Sequence, residues 1–506
     1  LIGAIGFALH TPLVFLLNSL LFLTPFLLVF FTRRKVFLAV VLVVTGLTMA
    51  IANSVLLVFR TTPFTAADLR LVKYAATLLT TYLTWWQIVL MAVAAVAAIL
   101  FCAVLWKKAP LDPGKVNLTE SVCVSAVSML VIWGVLNFSI ATGAVALHFG
   151  NIGQAYKDYG FAYCFSNSLL NTGMEELESE EQTQTEDAKN IEGRYPNIIM
   201  LQLESFFDPL LWKNNPVQGD PIPMFHFLER NFPSGYLSVP SVGAGTANTE
   251  FECISAMNLD FFGPGEYPYK TILQKTSCES MAFDMKNLGY KAHAVHNNEA
   301  TFYDRHKVFS QLGFDTFTPI EYMNDIERNP TGWCKDKVLV GEIEKVLDST
   351  MGSDFVYTIS VQGHGKYPSF EYYCEQIHEM DEFVGQLINM LNTRMEPTVL
   401  VLYGDHLPGF EWTAQEMENE SLFQTKYVVW NNVNLPAVKR NVEAYQLAAH
   451  VLNMLDIHEG TMLRFHQRHL DAWDTDTQSY LDAMKLLQYD ILYGDHEVYG
   501  GESPYQ

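Results

Sequence analysis

The stretch Asn197-Ile198-Ile199-Met200-Leu201-Gln202-Leu203-Glu204-Ser205 decides the fold. Its first seven residues form a short, nearly continuous apolar run without polar alternation. That pattern belongs to a strand buried on both faces, as in a mostly parallel sheet. Three later runs repeat it: 291–295 (KAHAV), 355–361 (FVYTISV) and 398–403 (TVLVLY). Residues 246–257, 277–288, 335–347 and 373–391 carry helical periodicity instead. Strands and helices in alternation predict a three-layer α/β/α domain. In such sheets ligands bind at the carboxyl ends of the strands.

Polar residues collect at those ends. Glu204-Ser205 follow the first strand and His296-Asn297-Asn298 the second. Gln362-Gly363-His364-Gly365 follow the third, and Gly404-Asp405-His406 the fourth. One such residue at a strand end is often structural. Four ends of one sheet carrying them point to a functional site. Glu204, Asp405 and His406 supply two carboxylates and one imidazole, a set that suits Mg²⁺, Mn²⁺ or Zn²⁺. A nucleophile for the fourth position is offered by Gly243-Ala244-Gly245-Thr246-Ala247-Asn248-Thr249-Glu250. Thr246 opens a helix there, where backbone N–H groups and the helix dipole favour anions. An ordinary N-cap is the competing reading of Thr246.

Outward from this domain, composition divides the chain. Of 506 residues, 49% are hydrophobic and 17% charged, and the net charge is -23. Residues 1–150 hold nine Lys/Arg and three Asp/Glu, a net of +6, which leaves -29 for residues 151–506. A domain at -29 repels polyphosphate backbones, which argues against nucleic acid as a partner.

The basic front half reads as membrane. Residues 11–31, 36–59, 87–106 and 122–147 are apolar runs, each near the ~20 residues a bilayer requires. Arg33, Arg34 and Lys35 lie between the first two, and Lys107, Lys108 and Lys115 between the last two. By the positive-inside rule both clusters face the cytoplasm. The 60–84 loop and everything after Leu147 then face outward, so the acidic domain is extracellular or periplasmic. Leu1 falls outside as well and is not an initiator Met. The expectation is therefore a truncated chain with one more span upstream; a cleaved signal peptide is the alternative. The 60–84 loop, with Tyr82, Trp85 and Trp86, reads as an interfacial helix with an aromatic anchor or as a plain connector. Residues 151–192 read as a linker, with the acidic run 175–187 (EELESEEQTQTED) at its centre. Residues 193–506 form the outer domain. Among its cysteines (253, 278, 334 and 374) one disulfide is possible, but the spacings build neither a disulfide framework nor a zinc pattern.

Taken together, the spans, the acidic linker and the motifs LQLESF, GAGTANTEFE, HNNEATFYDR, GHGKYP and YGDH resemble the lipoteichoic acid synthase family. Those enzymes are membrane-anchored phosphoglycerol transferases with a sulfatase/alkaline-phosphatase-like outer domain. The resemblance covers nearly the whole chain, and the family's five spans agree with the upstream span expected above. It implies a threonine nucleophile, Thr246, that holds one divalent metal, usually Mn²⁺, together with Glu204, Asp405 and His406. It also implies a head-group pocket of His296, Asn298, Tyr303, Arg305 and His364. Tyr303 stands where the family usually has Trp, and Asn298 where it typically has Asp. Leu407-Pro408-Gly409 replaces a small polar stretch. These differences bear on the transferred group and the acceptor, not on the metal core.

The implied reaction takes phosphoglycerol from phosphatidylglycerol onto Thr246 and releases diacylglycerol. The group then passes to a glycerolphosphate chain, a glycolipid or another surface glycan. His364 would exchange protons with leaving and attacking oxygens, and Arg305 would bind a phosphoryl oxygen or glycerol hydroxyl. A surface ion pair is the alternative for Arg305, and a structural role for His296. A phosphoethanolamine transferase would share fold, anchor and nucleophile. A sulfatase proper needs Cys or Ser in a C/S-x-P-x-R setting, which Cys253-Ile254-Ser255-Ala256-Met257 lacks. A two-metal phosphatase needs further Asp/His ligands that the sequence does not place. A membrane transporter or sensor with an outer binding domain is the non-enzyme alternative. Spans almost free of ionisable residues argue against it.

Overall fold

The computed structural model describes residues 2–59, 63–70, 85–114, 116–147, 149, 152–171, 173–174, 195–263, 265–365 and 367–505. Lys115, most of the 60–84 loop and the acidic run 175–187 lie outside these residues. The chain divides into two compact units, Leu1–Thr172 with Gly263–Glu266, and Gly173–Phe262 with Tyr267–Gln506.

Among the described residues, the first unit contains four helices long and apolar enough to cross a membrane: Pro12–Phe31, Lys35–Leu57, Trp85–Lys108 and Leu118–Ala141. Their large apolar side chains, Leu90 and Ile99 among them, point outward, as a hydrocarbon environment requires. The first tightens from α-helix to 3₁₀ over Thr24–Phe31, where Pro25 cannot donate to the preceding turn. The two basic connections meet at one end of the unit. Lys35 Nζ lies 2.6 Å from Asp112 Oδ2, and the Asp112 N–H donates to the Arg33 carbonyl. Within the stretch grouped above as linker, Ile152–Tyr159 and Phe161–Leu170 are helical. Asn18 binds them to the first span, donating to the Tyr159 carbonyl and accepting from the Tyr163 N–H.

The second unit is built on an eight-stranded sheet. The strands are β1 (Asn197–Leu203), β2 (Ser234–Ser238), β3 (Lys291–His296), β4 (Thr316–Pro319), β5 (Asp354–Ile359), β6 (Thr398–Gly404), β7 (Gln424–Asn431) and β8 (Val442–Glu443). Their order is β4-β3-β5-β1-β6-β7-β2-β8. The first five run parallel, while β7 is antiparallel to both β6 and β2. Helices cover both faces. Thr246–Ser255 and Ala444–Met454 pack on one side, and Val338–Asp348 and Phe370–Arg394 on the other. The four strands expected from sequence are present, and the mixed β7-β2-β8 edge extends them.

The alternation of β1 positions the site. Ile198 and Met200 enter the core shared with Thr246–Ser255, whereas Ile199, Leu201 and Leu203 enter the opposite one. Period-two geometry therefore sends Gln202 and Glu204 toward the Thr246 helix. In the β1–β6 register Leu203 pairs with Gly404, so Glu204 and Asp405 leave the sheet side by side. All seven cysteines are free thiols.

Candidate metal centre

Four residues brought together from three segments form the centre. Glu204, Asp405 and His406 each offer a ligand atom within 4.8 Å of the others. All three are buried, and so is Thr246. Thr246 Oγ1 donates to Glu204 Oε2 at 2.9 Å. The other oxygen, Oε1, lies 3.6 Å from His406 Nε2, and Asp405 Oδ2 lies 3.6 Å from the same nitrogen. His406 Nδ1 donates to the Leu407 carbonyl at 2.9 Å. A carbonyl only accepts, so Nδ1 carries the hydrogen and Nε2 presents a lone pair. Among the described residues, His406 Nε2 and Asp405 Oδ2 are buried without a hydrogen-bond partner. Two orphaned acceptors converging with a second carboxylate are what a cation would satisfy. Burial first, and the Glu204 carboxylate second, push the Asp405 carboxyl well above its usual pKa. The residues present thus fit one divalent ion.

Close backbone contacts hold the ligands in place. A side chain on Gly404 would meet the Phe206 carbonyl at 1.9 Å, and one on Gly363 the Glu204 carbonyl at 2.1 Å. Only glycine allows these approaches, which explains Gly404 before Asp405 and Gly363 before His364. Ser205 adopts a left-handed φ of 51°, and its N–H donates to Asp405 Oδ1 at 2.7 Å. Gln202 Nε2 donates to the Thr246 carbonyl at 3.2 Å. Its Oε1 accepts from the hydroxyls of Tyr357 and Tyr403. Sequence reading passed over Gln202 and named Ser205 only as the neighbour of Glu204. The available signal was a polar residue inside an apolar strand, two positions before Glu204.

The residues expected to form the head-group pocket divide into two kinds. His364 is half-buried, with Nδ1 donating to the Gly365 carbonyl at 2.8 Å. Phe302 stands edge-on to it at 6.4 Å, which joins His364 to the 302–305 segment. Tyr303 and Asp304 both have left-handed φ, 58° and 56°. Consecutive strained residues of this kind concentrate at functional sites. Lys270 Nζ at 4.9 Å and Arg305 Cζ at 5.1 Å both lie over the Tyr303 ring.

Arg305 and the His296 segment are committed inside the protein. The Arg305 side chain is fully buried and pairs with Glu250. Nε reaches Glu250 Oε2 at 3.1 Å, Nη2 reaches Oε1, and Nη1 donates to the Phe302 carbonyl. The ion pair is therefore a core feature rather than a surface one. His296 is buried, and its Nδ1 donates to the Ile359 carbonyl at 2.9 Å. Burial, then the Arg305 charge, hold its pKa well below the ordinary value. Asn298 is half-buried, and its carbonyl accepts from the Ile320 N–H. Its neighbour Asn297 donates to Asp336 Oδ1 at 2.8 Å. That oxygen also accepts from the N–H groups of Val361 and Gln362. Asp336 thereby ties the end of β3 to the end of β5. Nothing in its surrounding sequence signalled this role.

A family model described as Sulfatase matches residues 196–457. The chain is 26% identical over 283 residues to a Rhizobium meliloti (strain 1021) protein named for cyclic beta-1,2-glucan modification. That match covers 49% of this chain and 43% of the relative. It is also 26% identical over 254 residues to lipoteichoic acid synthase of Staphylococcus saprophyticus, covering 44% of this chain and 38% of the relative. The chain thus spans less than half the length of the curated relatives it matches. Among solved structures, Streptococcus pyogenes phosphoglycerol transferase GacH in complex with sn-glycerol-1-phosphate is similar with a TM-score of 0.55. It is 21% identical, covering 60% of this chain and 88% of that one, and the likeness is one of fold.

Proposed function

The chain belongs to the Sulfatase family, and from that premise we propose that it is a membrane-anchored, metal-dependent phosphoglycerol transferase. One observation carries the reading: the Thr246 hydroxyl, at the start of its helix, is hydrogen-bonded to Glu204 within the ring completed by Asp405 and His406. That is a nucleophile set among cation ligands. Sulfatase chemistry itself is disfavoured, because the motif that would be converted to formylglycine is missing and threonine stands at the helix start.

Glu204, Asp405, His406 and Thr246 would hold one divalent ion, Mn²⁺ in our reading. When bound, such an ion lowers the pKa of a ligated hydroxyl and neutralises charge on a phosphoryl oxygen. Thr246 Oγ1 forms the new P–O bond, and its proton has Glu204 Oε2 at hydrogen-bond distance. The bond from phosphorus to the diacylglycerol oxygen breaks, and protonated His364 supplies the proton through Nε2. In the second half the acceptor hydroxyl gives a proton to neutral His364 and attacks phosphorus. Thr246 leaves and regains the proton held by Glu204. Tyr303 would line the head-group pocket beside His364, with His296, Asn298 and the Glu250-bound Arg305 supporting it from behind.

Phosphatidylglycerol is the proposed donor, in line with the lipoteichoic acid synthase and phosphoglycerol transferase relatives. The glucan-modification relative favours a cell-surface glycan over a glycerolphosphate polymer as acceptor. The positive-inside reading makes the second unit extracellular, and tethering it to the spans would raise the local concentration of donor lipid. Reconstituting the full chain with fluorescent phosphatidylglycerol or phosphatidylethanolamine tests the reading. Diacylglycerol release from the first is expected. Release from phosphatidylethanolamine alone would replace it with a phosphoethanolamine transferase.

A further inference from the structure

Trp333 takes no part in the steps above, yet it is built onto His364. The two ring centroids lie 4.2 Å apart with planes inclined by 35°. Trp333 Nε1 donates to the Gly365 carbonyl at 3.3 Å, the same oxygen that accepts from His364 Nδ1 at 2.8 Å. With Nδ1 committed to a carbonyl, Nε2 is the nitrogen left to exchange a proton. Phe302 also contacts the imidazole, edge-on at 6.4 Å, so two aromatic rings pack on it.

Trp333 is itself held in place. Its N–H donates to Asn329 Oδ1 at 2.9 Å, and the Asn329 N–H donates to the Trp333 carbonyl at 2.8 Å. Asn329 is buried. Its amide nitrogen reaches the Gln362 carbonyl at 3.2 Å and Gln376 Oε1 at 3.1 Å. One side chain thus staples the Trp333 turn to the loop that carries His364. A buried amide satisfied on both ends specifies a single arrangement of the two loops.

We propose that Trp333 is a positioning residue for His364, fixing the ring plane and the tautomer so that Nε2 faces the reacting oxygens. The inference deepens the proposed function and rests on His364 as its proton-exchanging group. Preorganisation of this kind acts on the chemical step rather than on binding.

The test uses the full chain in liposomes containing phosphatidylglycerol. Trp333→Ala is expected to lower kcat for diacylglycerol release by about 10- to 100-fold with KM little changed. Trp333→Phe, which keeps a ring and loses the N–H, should recover part of the loss. In a His364→Ala background, Trp333→Ala should cost nothing further. An equal fold-loss in both backgrounds would overturn the proposal. A second readout is independent of activity. Solid-state ¹⁵N spectra of histidine-labelled protein, with His364 signals identified by their loss in His364→Ala, should show the Nδ1–H tautomer. In Trp333→Ala a mixture with the Nε2–H form is expected, and the same single tautomer in both proteins sinks the proposal. If the wild type releases no diacylglycerol from phosphatidylglycerol, the proposed reaction fails while the tautomer comparison still decides the role of Trp333.

Discussion

Arg305 and Glu250 are paired inside the protein, and Glu250 lies one helical turn beyond Thr246. Residues four apart share a helix face, so the ion pair braces the same side of the helix that presents Thr246. Burial opposes the Arg305 charge, but Glu250 beside it raises the guanidinium pKa above its ordinary value. Removing one member leaves a buried charge uncompensated, at a cost of ~3–5 kcal/mol. Glu250→Ala and Arg305→Ala are each expected to lower the melting temperature markedly, while an apolar replacement of both recovers much of the loss. Thermal melts of the three variants check this. Additive losses in the double variant would mean that the two groups act independently.

Thr246→Ala removes the only oxygen of this side chain. Diacylglycerol release should fall on the order of 10³-fold or more, with metal content retained on the three remaining ligands. Mass spectrometry of wild-type protein, denatured during turnover of phosphatidylglycerol, should show a phosphoglycerol adduct on the peptide containing Thr246. Wild-type turnover by Thr246→Ala would remove that residue from the mechanism.

The ligand set is tested by metal analysis rather than by rate. The purified chain should carry about one divalent ion, lost in Asp405→Asn or His406→Ala and on chelation. Glu204→Gln should lose it as well, because the neutral amide is a poorer ligand for a hard cation. Unchanged occupancy in these variants would contradict the assignment. Manganese, magnesium and zinc added back in turn identify the ion that restores turnover.

His226 provides a pH-dependent contribution away from the centre. Its Nε2 meets Asp208 at 3.0 Å and its Nδ1 meets Asp220 at 2.8 Å. Burial works against protonation, but hydrogen bonds and charge from Asp208 and Asp220 raise its pKa to about 9. A pKa above the unfolded value of ~6.5 stabilises the fold fully below pH ~6.5. That contribution is lost as pH rises through about 9. Relative to His226→Gln, the wild type should gain up to ~3 kcal/mol near pH 6, and the gap should close by pH ~9.5. Melting curves across this range check the sign; a gap that widens with pH would contradict it.

Much of the α/β unit was legible because burial on both faces removes polar alternation from a strand. Asn197–Leu203 appears with the same bounds in sequence and structure. The candidate ligands were legible because they follow such strands directly. The 324–336 segment was not, since Asn329, Trp333 and Asp336 act through contacts with residues distant in the chain. Arg305 was legible as a functional candidate but not as a partner of Glu250, 55 positions away. The helices Ile152–Tyr159 and Phe161–Leu170 were submerged in a stretch grouped by its charge.

By itself the sequence determined what local periodicity and composition control: four apolar helices, a parallel core sheet, an acidic second half, and Glu204, Thr246, Asp405 and His406 beside strand or helix ends. The tertiary structure alone decided which of these side chains meet. Strand register sets Glu204 against Asp405, and the close approach at Gly363 and Gly404 seats their loops. Asn329 and Trp333 then fix the face of His364 that remains available. Such relations depend on packing between distant segments, and no local pattern encodes them.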